Sequence, residues 1–163
     1  MSTHVLPNLN FKYWLSICLY FTFIACSDNA KQNKIITDYE LITIYFKEQQ
    51  KFQVSDSIKT LFVLTDYGCM PCNKNFAEVM VKNLNNPSVL FLILAAGSNI
   101  DASEFMKSKN KVFFDVPENV KHHLFENSKV FFFKKNEIDT TIIINAQQIE
   151  NQIDEINKRL SHL

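Results

Sequence analysis

Glycine is nearly missing from this chain, with only Gly68 and Gly97 among its 163 residues. A loop that cradles nucleotide phosphates with backbone N–H groups needs several glycines at fixed spacing, so that class of site is excluded. Basic clusters are missing as well. The 17 Lys and Arg are matched by 17 Asp and Glu and are spread along the chain, which leaves no track for a nucleic-acid backbone. The apolar run from Tyr13 to Ala25 falls short of the roughly 20 residues that an ordinary membrane-crossing helix needs. No internal repeat is visible. What the chain has in abundance is phenylalanine, 15 in all, several in strand-like runs that supply ample material for a core.

The four cysteines divide by position. Lys12 precedes the run Tyr13 to Ala25 and Cys26 follows it, a positive start and short apolar core in the layout of a secretory signal. Phe23-Ile24-Ala25-Cys26 resembles a bacterial lipobox, in which cleavage leaves the cysteine as a lipid-modified amino terminus. This predicts a signal peptide over 1–25, a lipidated amino terminus and tether over 26–37, and one folded domain over 38–163. An uncleaved anchor and an ordinary cleaved signal are the alternatives. A lipid on Cys26 would anchor the domain without spanning the bilayer. The expected location is the bacterial cell envelope, facing the periplasm, with the outer membrane or the cell surface also open.

Cys18 would leave with the signal and Cys26 would carry lipid, so Cys69 and Cys72 remain as the thiol pair. Cys69-Met70-Pro71-Cys72 follows the apolar run Thr60-Leu61-Phe62-Val63-Leu64 and precedes a helical pattern. Two thiols at that spacing can open and close a disulfide without moving the backbone. The unpaired N–H groups and positive dipole end of a helix start favour a thiolate, and the thiolate is the nucleophile. Cys69 is therefore the expected attacking sulfur and Cys72 the resolving one. Pro71 suits a first turn, where its missing N–H costs nothing. A loop this short gains little as a structural staple.

Tyr39, Ile42, Tyr45 and Phe46 recur at helical spacing, which predicts a helix over Asp38 to Lys51 capped by Asp38. A strand through Leu41 to Tyr45 competes, since that stretch is rich in β-branched and aromatic residues. Phe52 to Ile58 reads as a connection with room for a short edge strand. Leu61 to Thr65 and Val89 to Ala95 read as strands buried on both faces. Between them, Phe76, Val79, Met80 and Leu84 mark a helix from Met70 to about Leu84. A short helix starting at Asp101 or Ser103, a brief strand over Lys111 to Phe114 and a helix from Pro117 to about Glu126 follow. Val130 to Phe133 and Glu137 to Ile144 flank Lys134-Lys135-Asn136 as a hairpin. The closing helix opens at Asn145 or Ala146 and buries Ile149, Ile153, Ile156 and Leu160. Alternation along the strand puts Phe132 on the face opposite Phe131 and Phe133, a core pattern rather than an aromatic patch. The run Ile142-Ile143-Ile144 reads as core packing too.

In motif and element order the chain resembles the thioredoxin-like superfamily over Thr60 to Leu163. The resemblance implies an α/β three-layer sandwich, with a mixed central sheet and helices on both faces, Cys69 exposed and Cys72 buried. The Met70-Pro71 dipeptide, the stretch Phe113-Phe114-Asp115-Val116-Pro117 and the expected anchor look like the membrane-tethered TlpA-like reductases. That likeness implies a membrane electron donor and no organic cofactor. Three departures stand out. A cis-proline is usual before the hairpin, where this chain has Glu126-Asn127-Ser128-Lys129-Val130, so Ser128 or Asn127 holds its place. A trans peptide or a shifted loop is expected there, because a cis bond at a non-proline residue costs about 2.5–4 kcal/mol. Gly68 stands where thioredoxins commonly have Trp. Val63 stands where many bury an Asp, leaving Asp66 and Glu78 as unplaced substitutes.

Three functions fit. In the first, the pair reduces the disulfide of a protein substrate, contacted by Tyr67, Met70, Pro71 and Ser128. The second is a redox-inactive binding module, because a fold does not dictate an activity. The third recruits His122 or His123 to the cysteines for copper or zinc. Adjacent helical positions face different ways and structural zinc takes four ligands, so at most three assemble and no metal site is assigned.

Overall fold

The computed structural model describes residues 35–95, 101–108, 111–117, 120 and 123–163. The signal-like segment 1–25, Cys26 and the tether to residue 34 lie outside the described residues, as do Gly97 and His122. Ile36 to Leu163 form one compact unit.

Two strands decide the architecture. β1 (Thr60–Thr65) and β2 (Val89–Leu94) are buried at every position, as the apolar run Leu61 to Leu64 and the unbroken apolar sequence of β2 require of strands covered on both faces. They pair in parallel from Thr60 opposite Val89 to Thr65 opposite Leu94. β3 (Val112–Asp115) adds in parallel to β2 at one edge. β4 (Lys129–Lys134) runs antiparallel on the other side of β1, and β5 (Glu137–Ile143) completes the order β3-β2-β1-β4-β5. β5 alternates between exposed and half-buried residues along its length, the signature of an edge strand.

Helices cover both faces of this mixed sheet, giving a thioredoxin-like three-layer sandwich. On one face lie α2 (Met70–Lys82), the single turn α3 (Ser103–Met106) and α4 (Ile149–Leu160). Their side chains Phe76, Met80, Phe105 and Ile156 pack with Phe62, Leu64, Phe91, Ile93 and Phe132. On the other face, α1 (Asp38–Glu48) brings Ile42 and Phe46 onto Leu61, Val63, Leu92, Phe131 and Phe133. The three consecutive phenylalanines thus divide between the two cores, as alternation requires. Ile142 packs on the α2 face and Ile144 is buried there, whereas Ile143 is exposed on the edge strand.

Several element boundaries differ from the sequence expectation, each for a local reason. Thr37, not Asp38, caps α1. Its hydroxyl accepts from the N–H of Glu40 while the Glu40 carboxylate accepts from the N–H of Thr37, a reciprocal pair that shifts the helix start by one residue. The stretch Leu41 to Tyr45 is helical rather than a strand: Tyr39, Ile42, Tyr45 and Phe46 all pack into one core, and the three-residue steps from 39 to 42 and from 42 to 45 would put neighbours on opposite faces of a strand. Phe52 to Ile58 holds no strand.

The expected helix from Pro117 to Glu126 does not form as one element. Val120 is non-helical, and a 3-10 turn covers His123–Phe125. Leu124 and Phe125 are neighbours yet both enter the α1-side core, which favours a tight local turn over a continuous amphipathic helix. α4 starts at Ile149 because Asn145 Oδ1 accepts from the N–H groups of both Gln147 and Gln148, each at 3.1 Å. That side-chain turn holds the preceding residues outside the helix.

A polar tie joins α1 to the β3 edge. Tyr45 donates its hydroxyl to Asp115 at 2.7 Å, and Gln50 Nε2 donates to the same carboxylate oxygen at 3.0 Å. Burial, then the hydrogen bond to Asp115, raises the Tyr45 phenol above its ordinary value of 10.0. A raised phenol favours the neutral form in the fold, so its contribution is present below that pH and is lost as pH climbs past it. Tyr45→Phe is expected to cost about 1–3 kcal/mol at neutral pH. It should also flatten part of the stability loss above pH 10, read by urea unfolding across pH.

The β4–β5 hairpin turns through Lys135 and Asn136, with φ of 52° and 63°. Two consecutive left-handed residues match the twist of antiparallel strands, but Lys has no special tolerance for that region. Lys135→Gly is expected to stabilise the domain by about 1 kcal/mol, seen as a higher urea midpoint with unchanged slope.

Candidate functional site

The cysteines lie at the carboxyl edge of the parallel strands, where β1 passes into α2. Open α/β sheets place their ligands at this edge, because the loops there are free of core packing. The sulfurs are bonded to each other at 2.03 Å, with Cα atoms 5.2 Å apart. Cys69 is the N-cap residue of α2, and its sulfur accepts from the N–H of Cys72 at 3.3 Å. Cys69 is partly exposed while Cys72 is 4% exposed and belongs to the α2-side core. No acidic residue occupies the first turn of α2, so nothing there opposes the positive helix end that would steady a thiolate on reduction.

The approach to the disulfide is a tight turn. Gly68 has φ of 89°, and a Cβ placed on it would meet nothing within 4 Å. Backbone conformation, not space, requires glycine there, which accounts for the loss of the Trp that the resemblance leads one to expect.

A buried polar clamp holds this turn. Asn73, one position beyond Cys72 and only 5% exposed, donates through Nδ2 to the carbonyls of Thr65 at 2.8 Å and Tyr67 at 3.1 Å. Ser128 closes the clamp from β4. The β1–β4 ladder ends at Val63 opposite Lys129, and beyond it the Ser128 hydroxyl accepts from the N–H of Thr65 at 3.0 Å and donates to its carbonyl at 3.4 Å. The carbonyl of Ser128 accepts from the N–H of Ile144 at 2.9 Å. Thus Ser128 is held by the residue that follows β5 and itself fixes the end of β1. Every peptide bond among the described residues is trans.

The other expected site residues fall on two sides of the disulfide. Tyr67 is 53% exposed and borders a hollow of about 340 Å³ with Leu94, Pro117, Val120, Phe125 and Glu126. Met70 and Pro71 are exposed on the opposite side, at the start of α2. Asp66 is half-buried at the base of the turn and Glu78 is exposed on α2. Lys129 is buried with its ammonium 5.8 Å from the centre of the Phe131 ring. Burial lowers its pKa from the ordinary lysine value, against opposing pulls from Glu126 and Asp38. Its strand position shares the α1 side with Phe131, away from Cys72. Among the described residues, no three His, Cys, Asp or Glu gather as metal ligands.

Asn73 and Thr65 were not apparent as site residues from the sequence. The available signal was an asparagine inside the first turns of a helix, where that residue is unfavourable unless its side chain serves the backbone.

No family model, no curated protein and no solved structure matches the chain. The site therefore stands on its own geometry: a closed dithiol pair, asymmetric in exposure, at a helix start in an α/β sandwich.

Because Asn73 and Ser128 act on the same peptide, their effects are expected to couple. Asn73→Ala and Ser128→Ala should each cost about 1–3 kcal/mol by leaving buried backbone groups unpaired. A double-mutant cycle by urea unfolding should give a coupling of about 0.5 kcal/mol or more. Strict additivity would show that the two contacts are independent.

Proposed function

We propose that this chain is an envelope thiol–disulfide oxidoreductase that reduces the disulfides of protein substrates. The observation that carries the reading is the unequal setting of the two sulfurs, Cys69 partly exposed at the N-cap of α2 and Cys72 buried beneath it. In the reduced protein, the Cys69 thiolate attacks one sulfur of the substrate disulfide, and the other leaves as a thiolate that takes up a proton. A mixed disulfide joins Cys69 to the substrate. Cys72 then gives up its proton and attacks Cys69, which releases the second substrate thiol. The substrate gains two electrons and the protein ends as the Cys69–Cys72 disulfide.

A fresh cycle needs two electrons from a dithiol donor. The likeness of the Met70-Pro71 dipeptide and the expected anchor to TlpA-like reductases supports a donor in the membrane. A lipid on Cys26 would hold the domain beside that donor, and the polar segment that follows would act as a tether. Tyr67, Met70 and Pro71 surround Cys69 as substrate contacts, and Ser128 supports them through its hold on β1. The mechanism calls for no organic cofactor.

Ser128 in the proline's place favours one second reading, a binding module whose disulfide rarely turns over. The two separate on a single set of samples. The full chain is equilibrated with dithiothreitol or glutathione mixtures, free thiols are trapped, and the pH dependence of Cys69 alkylation is followed. The expected result is a reversible two-thiol couple with a Cys69 pKa at least one unit below the roughly 8.5 of a free thiol. Cys72→Ser should then accumulate a mixed disulfide with substrate, and Cys69→Ser should reduce nothing above the uncatalysed rate. A pair locked in one state, or a Cys69 no more acidic than a free thiol, would establish the binding module instead.

A further inference from the structure

Beside the disulfide, on the side away from Tyr67, a groove of about 780 Å³ opens between α2 and α3. Its near end is formed by Met70 and Pro71, the residues between the two cysteines, and Ala77 and Val81 continue it along α2. Met70, Ala77 and Val81 share one helical face by their spacing. Phe105 of α3 lines the groove and is itself 1% exposed, so it is part of the core and does not fill the space. The volume is that of a site for one or two bulky groups.

The rim decides what kind of occupant fits. Lys74 and Lys82 stand against Glu78, Asp101 and Glu104, and Glu104 is already paired with Lys107 at 2.9 Å. With both signs interleaved, the rim gives no preference for an anion or a cation, and the lining between is apolar. An uncharged, apolar group suits it. Because the groove begins at the Met70-Pro71 lip, whatever enters it lies next to the sulfur that forms the mixed disulfide.

We propose that this groove is the subsite that receives an apolar side chain of the protein substrate, borne near the cysteine that bonds to Cys69. The inference rests on the redox reading and adds a substrate class to it. Reach fixes the register. At 1.5 Å per helical residue, Ala77 and Val81 lie roughly 10 and 17 Å along α2 from Met70. An extended substrate rising about 3.3 Å per residue covers those spans in about three to five residues. The preferred substrate therefore carries Leu, Ile, Phe or Met about three to five positions from its reactive cysteine, with no charge between.

The test uses the full chain and short peptides whose single cysteine is capped as a mixed disulfide with thionitrobenzoate, regenerated by dithiothreitol. One set carries Leu about four residues from the cysteine, on either side, and the matched set carries Ser. The expected result is a KM about tenfold lower for one Leu peptide at similar kcat, the size of preference a hydrophobic pocket gives. Ala77→Trp and Val81→Asp should each bring the Leu-to-Ser ratio towards one. In parallel, a Leu peptide with its cysteine replaced by serine is added to the oxidised chain, and the methyl resonances of Ala77 and Val81 are followed. Equal KM values for Leu and Ser peptides in the unaltered chain, with those methyls unmoved, would overturn the proposal. Should no peptide of either set be reduced, the redox reading fails separately. The methyl shifts then decide the groove alone, movement sustaining an apolar-peptide site and silence removing it.

Discussion

The main chain of Thr65 is the point on which this site hangs. It closes β1, the central strand of the sheet, and everything from Asp66 to Cys69 follows from where it sits. Its N–H is taken by the Ser128 hydroxyl and its carbonyl by Asn73, with Ser128 as a second, longer partner. All three residues are at most 5% exposed, so water cannot replace these bonds and their loss carries the full cost of an orphaned buried group. The clamp links three elements that share no backbone ladder at that point: the end of β1, the first turn of α2 and the start of β4. Folding the sheet therefore places the disulfide.

That placement bears on the chemistry through exposure and charge. The backbone of Cys69 ends the turn and caps the helix, so its sulfur faces both the N–H groups of α2 and the solvent. Cys72 is one turn deeper, packed with Phe62 and Phe76 in the α2-side core. Burial disfavours a thiolate, whereas a helix start with no acidic residue in its first turn favours one. On the proposed redox reading, the two sulfurs separate into a nucleophile that can be reached and a resolving thiol that is shielded by the core. A pair of equal exposure would lack that division of roles.

Much of this was legible in the chain. Leu61 to Leu64 and Val89 to Leu94 are apolar without interruption, and strands covered on both faces carry that pattern. The hairpin could be placed because two strand-like runs flank Lys134-Lys135-Asn136, although Lys134 belongs to the strand and neither turn residue is the glycine such turns favour. The cysteine spacing after a strand located the site. What could not be read were contacts made across the fold. Nothing near Asn73 in the sequence reveals that its amide ends on Thr65 and Tyr67, since those partners lie behind a turn whose path depends on Gly68. Thr37 took the cap from Asp38 because Glu40 sits three residues on from it, a signal that the acidic side chain at 38 obscured. The stretch after Pro117 carried a helix-start residue, but burying the adjacent pair Leu124 and Phe125 under the sheet overrode it. Local propensity yields there to tertiary packing.

A serine at position 128 also has consequences beyond its own position. A proline side chain at 128 has no hydroxyl, so the N–H of Thr65, beyond the last rung of the β1–β4 ladder, would lose the acceptor it has here. Asn73 is no substitute, because its Nδ2 is a donor and is already directed at the carbonyls of Thr65 and Tyr67. Ser128, Thr65 and Asn73 therefore form one solution, in which a hydrogen-bonded trans segment does the positioning that a cis-proline does in the superfamily the chain resembles. The two solutions differ in stiffness. A ring constrains the backbone covalently, whereas a hydroxyl at 3.0 and 3.4 Å from its partners holds it by bonds worth about 1 kcal/mol each. A site built this way keeps its sulfurs in register only while its core stays dry, which ties the chemistry at Cys69 to the packing of the sheet behind it.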